Sequence, residues 1–324
     1  MTRYIVRRLL FSIPVFVALT FATFALMRAI PGGPFDFAGE RGLPASIVQN
    51  MERKYHLDEP IWKQYGRWLW DLVAHADLGP SLRQRGRSVN DIVGESFPIS
   101  IQLGLMALAL ALLIGIPAGT LAALKQNSIV DYSSTFMAIV GVSIPNMVLG
   151  PLLIWIFALG LNWLPVSLWG AERPFLLGFL PKPTLKFFSH AVLPVFTLGT
   201  GLSASIARLT RASLLQVIRE DYIRTARAKG LGEWIVIIRH ALKNSLIPVV
   251  TILGPMFAAI VTGTFVVEQI FGIPGMGKHF VTSIGNRDYP LIVGVTLIYA
   301  VLLVIANLMV DMTYAWLDPR VRYQ

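Results

Sequence analysis

The residues best placed for chemistry form one short run. Gly272-Ile273-Pro274-Gly275-Met276-Gly277-Lys278-His279 fits G-x-x-x-x-G-K, the spacing with which backbone amides and a lysine grip nucleotide phosphates. The next place, which should offer Mg²⁺ a Ser or Thr hydroxyl, is His279. The setting also differs, because a phosphate loop joins a strand to a helix and this run follows a long apolar stretch. It reads as a tight Gly-Pro turn, and the charge pattern below puts it outside a membrane, where ATP is absent. The histidines, His56, His75, His190, His240 and His279, form no H-x-x-x-H or H-E-x-x-H pattern, so no zinc site is indicated. No G-x-S-x-G elbow occurs. With 0 cysteines, disulfides, Fe–S clusters and thiolate zinc are excluded. The sequence therefore predicts no catalytic residue, no metal and no cofactor.

The elements around these residues explain why. The chain is 55% hydrophobic and 14% charged, whereas soluble domains carry about 25% charged residues. Leu9–Met27, Ile99–Ala123, Phe136–Leu161, Val192–Ala207, Leu246–Val267 and Leu291–Val310 contain no Asp, Glu, Lys or Arg. About 20 apolar residues in a helix cross a hydrocarbon core of roughly 30 Å. The fourth run is short and borrows His190, Ala191 and Arg208 at its ends. Backbone polar groups must pair within a span, so each run is helical, and none alternates as an outer-membrane strand would. The reading is an all-α polytopic membrane protein with six transmembrane helices.

A net charge of +10 raises the question of nucleic acid, and the placement of the charges answers it. With the N-terminus inside, the inner segments carry Arg3, Arg7, Arg8, Lys125, Arg208, Arg211, Arg219, Arg224, Arg227, Lys229, Arg239, Lys243, Arg320 and Arg322. The short outer loops hold Arg173, Lys182, Lys186, Lys278 and Arg287. That is the positive-inside asymmetry of an N-in, C-in chain, with lipid rather than nucleic acid as the neighbour. The first apolar run is longer than a signal h-region and lacks a clean small-x-small cleavage site, so it reads as an uncleaved helix.

Three parts follow: a cytoplasmic stub with the first helix over 1–30, an extracytoplasmic segment over 31–97, and a core over 98–324. The outer segment opens with Pro31-Gly32-Gly33-Pro34. Ile61, Tyr65, Trp68, Leu69, Leu72 and Val73 then recur at helical spacing. That amphipathic helix lies on the outer membrane face with its tryptophans at headgroup depth, or it offers a platform to an external partner. Pro145, Pro151 and Pro194 and the small residues of the fourth and fifth helices, such as Gly199, Ser203, Ala204, Ala258 and Gly263, suit close helix packing. In the inner segment 208–243, helix formers run from Ala212 to Lys229. Gly230 and Gly232 then stop and restart the helix, roughly at Glu233. Ion-coupled transporters need ionisable groups in the bilayer, but Glu268 and Asp311 stand only at helix ends. A transporter without such groups or a nucleotide motif must borrow its energy from an ATPase docked at the inner loop. A stand-alone channel or secondary transporter remains the rival; a membrane enzyme would need a polar cluster that is absent.

The inner loop also carries a resemblance. Glu220-Asp221-Tyr222-Ile223-Arg224-Thr225-Ala226-Arg227-Ala228-Lys229-Gly230-Leu231, then Arg239-His240-Ala241-Leu242-Lys243-Asn244 and Ile247-Pro248-Val249-Val250, resembles the coupling segment of ABC-importer permeases. More narrowly it is similar to the B-type permeases of dipeptide, oligopeptide and nickel importers. Leu57-Asp58-Glu59-Pro60, Asp77-Leu78-Gly79, Phe271–Gly277, Arg287-Asp288-Tyr289-Pro290 and Leu317-Asp318-Pro319-Arg320 match as well. The general motif E-A-A-x-x-x-G is here Arg224-Thr225-Ala226 followed by Gly230, with a longer gap to Pro248. The resemblance implies a type I ABC importer permease fold without enzymatic activity of its own, in the cytoplasmic (inner) membrane of a prokaryote. It implies that Arg224, Thr225, Ala226, Arg227, Ala228, Lys229, Gly230, Leu231 and Gly232 couple to an ATPase. It also implies a paralogous C-type permease, two ABC ATPase subunits that bind the ATP, and an extracytoplasmic solute-binding protein. The implied cargo is di- or oligopeptide, with nickel chelates, glutathione or sugars as alternatives. Ala226 and Gly230, four apart, are expected on one helix face that sinks into a groove of the ATPase, flanked by Arg224, Arg227 and Lys229. From composition alone the same helix could instead lie on anionic headgroups.

Overall fold

A computed structural model describes residues 2–29, 33–35 and 45–317. Pro31 and Gly32 of the expected outer loop, and Asp318, Pro319, Arg320 and Arg322 of the tail, lie outside the described residues. The described chain is helical, with two isolated β-bridges, Pro80 with Ser88 and Leu176 with Leu180. Four helices are long and apolar enough to cross a membrane, and two bent pairs bring the count to six if each pair is one span.

The chain divides into two compact units, residues 1–98 with 275–302 and residues 99–274 with 303–324. In the first, α1 (Thr2–Ala29) meets α3 (Ile61–His75), the amphipathic helix expected from the sequence. α2 (Ala45–Lys54) precedes α3. The Tyr65 hydroxyl donates to the Val17 carbonyl at 3.0 Å and shares a 2.9 Å hydrogen bond with Thr20. The rings of Phe21 and Phe24 stand edge-on to Tyr65, and the Trp68 indole donates to the Leu78 carbonyl at 3.0 Å. Tyr65 and Trp68 are therefore buried, while Ile61 and Val73, expected on the same face, are exposed. The face is narrower than its apolar pattern suggests. Asp288 accepts from the Leu82 amide at 3.0 Å and from the Ser81 hydroxyl, which fixes the turn before α4 (Val89–Leu124) against the start of α14 (Tyr289–Leu317).

The second unit holds the remaining apolar runs. The third run is not one straight helix. It splits into α5 (Ile129–Ser143) and α6 (Asn146–Leu153), the latter continued by a π-helical turn to Gly160, with a bend of 101° between the pieces. The cause is Pro145, which offers no N–H and drives Ile144 into an extended conformation. The fourth run is longer than expected: α7 covers Leu185–Val217, 33 residues. Thr184 caps its start, accepting from the Phe187 amide at 3.1 Å. The expected single helix from Ala212 to Lys229 is interrupted by a turn at Ile218–Glu220, which separates α7 from α8 (Asp221–Ala228).

α7 and α4 touch backbone to backbone. A Cβ at Gly119 would lie 2.3 Å from the Ala207 carbonyl oxygen, so only glycine allows this approach. Gly199, Ser203 and Ala204 are buried on α7, which gives those small residues a packing role. Glu268, expected at a helix end, is in α12 (Phe265–Ile270) and has 0% exposure. Its carboxylate accepts from the hydroxyls of Ser100 at 2.7 Å and Thr264 at 2.6 Å, so it is buried with hydrogen-bond partners.

Candidate coupling surface

α8 is a two-turn helix whose own chain covers one edge of it. Ile223 and Ala226, three apart and hence on one face, are buried at 0% and 7%. They pack with Ala123 at the end of α4, Leu214 of α7, and Val236 and Ala241 further on. Those last two belong to a segment that starts as α9 (Glu233–Ile235), passes through a π-helical stretch Val236–Leu242, and ends as α10 (Lys243–Ser245). α11 (Ile247–Gly263) follows after a 49° bend. The restart of helix at Glu233 agrees with the sequence expectation, and the π character adds to it.

The opposite face of α8 and its exit are open. Arg224, Thr225, Arg227, Ala228, Lys229, Gly230, Leu231 and Gly232 are all exposed. Gly230 has φ +78°, a left-handed conformation suited to glycine, and a Cβ there would meet nothing within 4 Å. Its amide donates to the Arg227 carbonyl at 2.9 Å, closing the helix. Arg227 reaches across the turn and grips Glu233 with two hydrogen bonds, 3.1 Å from Nε and 2.7 Å from Nη2. That carboxylate holds the guanidinium above its usual pKa. At the other end, the Asn244 amide donates to the Tyr222 hydroxyl at 2.8 Å. α8 is thus fastened to the following segment at both ends.

This geometry corrects one expectation. Ala226 and Gly230 do not share an outward face, because Ala226 points into the chain's own cluster and Gly230 lies beyond the last helical residue, Ala228. The outward helical face is instead Thr225, Ala228 and the Arg224 stem, continued by Lys229, Gly230 and Leu231. Sequence spacing missed this because the residues that cluster with Ala226 sit on other helices, Leu214 on α7 and Ala123 on α4, the latter far away in the chain. Trp234, exposed at 74%, extends the apolar part of the surface and was also not singled out. A signal for it existed: a tryptophan one place after Glu233, at the restart of a helix.

The surface holds a short helix, a tight turn, cationic side chains and an exposed apolar strip. It can dock in a groove; it offers no nucleophile or metal cage. Among the described residues no group of three or more His, Cys, Asp or Glu is assembled. The run from Gly272 to Lys278 follows helix α12 and enters helix α13 (Met276–Asn286), so the strand–loop–helix setting of a phosphate loop is not formed. His279 is partly buried, which pushes its imidazole below the usual value.

Spans, bends and this helical outcrop define a polytopic permease of the type I ABC importer fold. A solved inward-facing methionine ABC transporter, MetNI, superposes over 70% of this chain and 96% of its own with a TM-score of 0.55 at 14% identity. An amino acid ABC transporter covers 69% of this chain and 93% of its own with a TM-score of 0.50 at 15% identity. Residues 115–323 match the family described as binding-protein-dependent transport system inner membrane component, and residues 1–104 match the N-terminal family of the same systems. The chain belongs to the binding-protein-dependent transport system inner membrane component family. It is 43% identical over 322 residues to the dipeptide transport system permease protein DppB of Bacillus subtilis, covering 99% of this chain and 98% of that one. It is 45% identical over 323 residues to the oligopeptide transport system permease protein OppB of Escherichia coli K12, covering 100% of both. As such a permease it works with ATPase subunits, permease subunits and a binding protein.

Proposed function

We propose that this chain is the B-type permease of a peptide importer. It forms half of a two-permease core with a paralogous C-type subunit, receives di- or oligopeptides from an extracytoplasmic solute-binding protein, and is driven by two ABC ATPase subunits that bind the ATP. The observation that carries the cargo is the end-to-end likeness to permeases named for dipeptides and oligopeptides. The coupling role rests on α8: its inner edge is cemented to α4 and α7, so force on its outer face moves those helices. The chain runs N-in and C-in, with Arg224 to Gly232 on the ATPase side and α3 outside. Nickel chelates, glutathione or sugars are the alternative cargoes, and a stand-alone transporter is the rival mechanism.

Uptake of labelled peptides into vesicles carrying the four-subunit complex and the binding protein tests the reading. ATP-dependent peptide uptake is expected. Uptake driven by an ion gradient in vesicles with this chain alone would overturn it. For orientation, a membrane-impermeant thiol reagent outside intact cells should label Lys63→Cys and not Gln126→Cys, both on exposed positions of a chain without cysteine.

A further inference from the structure

α7 is a lever. Its 33 residues span about 50 Å at 1.5 Å each, against roughly 30 Å of hydrocarbon. Its last turns cushion α8 through Leu214, which is fully buried. One turn back stands Arg211, and its partner is the first turn of the neighbouring helix α5. Asp131 Oδ1 accepts from Arg211 Nε at 2.5 Å; Oδ2 accepts from Nη2 at 2.7 Å and from the Asn127 amide at 3.0 Å. Asp131 is 2% exposed. The carboxylate is buried while the Arg211 side chain is 31% exposed, and an ion pair open to water on one side contributes little stability of its own, so stability alone does not explain it. A bidentate fork does add direction, because it permits a single register between the helices. About 15 Å further along α5, Gly141 packs on α7, where a Cβ would lie 3.4 Å from the Ala204 Cβ.

The geometry points to the Asp131–Arg211 pair as a mechanical lock that makes α5 travel with α7, so that displacement of α8 reaches the bent α5–α6 pair instead of being absorbed at the Lys125–Ser128 turn. Asp131 and Arg211 are then positioning residues for ATP-coupled transport. This rests on the coupling role proposed for α8. Energetic coupling is carried by rigid elements and by networks with discrete arrangements. The lock joins two such elements at the end nearest the docking surface.

The test uses the assembled complex with its binding protein. Asp131→Asn keeps the shape and removes the charge. It should lower peptide uptake about tenfold, leave the ATPase subunits co-purifying, and remove the response of ATP hydrolysis to loaded binding protein. Gly141→Cys with Ala204→Cys sits close to disulfide geometry. Oxidation should leave uptake within about twofold of the reduced complex, and in the Asp131→Asn background it should restore uptake to within about threefold of wild type, because the bond replaces the lock. A folding role would instead show before oxidation, as a lowered yield and thermal midpoint of the Asp131→Asn complex, because a disulfide can also restore stability. The lock is overturned if Asp131→Asn transports like wild type, if it loses the ATPase subunits, if oxidation blocks the otherwise native complex, or if oxidation fails to rescue. A thiol at Ala228→Cys separates the two readings. If it does not cross-link to the ATPase, the coupling role of α8 fails; if it does and the rescue fails, only the lock fails.

Discussion

Two glycine turns in the second unit look alike locally and differ in what surrounds them. Gly230, after α8, has φ +78°, and Gly272, after α12, has φ +61°. Around Gly230 the chain leaves open space, and its neighbours Leu231 and Trp234 are exposed. Around Gly272 the flanking Phe271 and Ile273 are each 1% exposed, and the Phe271 carbonyl accepts from the Leu168 amide at 2.8 Å. One turn stands open at the surface of the chain, and the other braces the chain itself. The backbone conformation is shared; tertiary surroundings assign the role. The nucleotide-like spelling after Gly272 belongs to the braced turn, and the spelling that resembles a coupling segment belongs to the open one.

The largest effect is expected at Gly230. Gly230→Leu should abolish transport while the permease stays inserted at normal abundance. A side chain at positive φ costs roughly 1 kcal/mol or more, yet its atoms have room within this chain, so a lost partner contact is what the assay reads. Wild-type uptake and ATPase pull-down by this variant would make the open turn irrelevant. Gly272→Leu carries the same backbone cost in the braced turn. It should lower the thermal midpoint of the purified complex by a few degrees and leave ATPase co-purification unchanged; loss of the ATPase would erase the distinction. Arg227→Ala releases Glu233 from an exposed pair, and such pairs contribute about 0–1 kcal/mol. Uptake should fall no more than about fivefold, as measured by initial rates. Lys278→Ala should be smallest, leaving ATP hydrolysis by the complex within about threefold of wild type, since a lysine outside a phosphate loop reaches no γ-phosphate.

Much of this organisation is legible in the sequence because the hydrocarbon core imposes it: long uncharged runs must be helices. The helix stop at Gly230 is legible for a local reason, a glycine just past a run of helix formers. The 101° bend has a local cause in Pro145, which a count of apolar residues passes over; the rest of what escapes has non-local causes. The inward face of α8 depends on Ala123 and Val236 arriving from either side. The pair Asp131–Arg211 joins residues 80 apart, and Ser100–Glu268 residues 168 apart; no spacing rule relates them. Arg211 therefore read as one more inner positive charge, and Glu268 as a helix-end residue.

The direction in which α8 faces is the claim on which the rest depends, and thiol cross-linking measures it directly. In the assembled complex, single cysteines at Ala226 and Ala228, two places apart on a chain with no other cysteine, should behave oppositely toward a short bifunctional reagent. A permease–ATPase adduct is expected from Ala228→Cys and none from Ala226→Cys, which is 7% exposed against its own core. An adduct from Ala226→Cys with none from Ala228→Cys would contradict it.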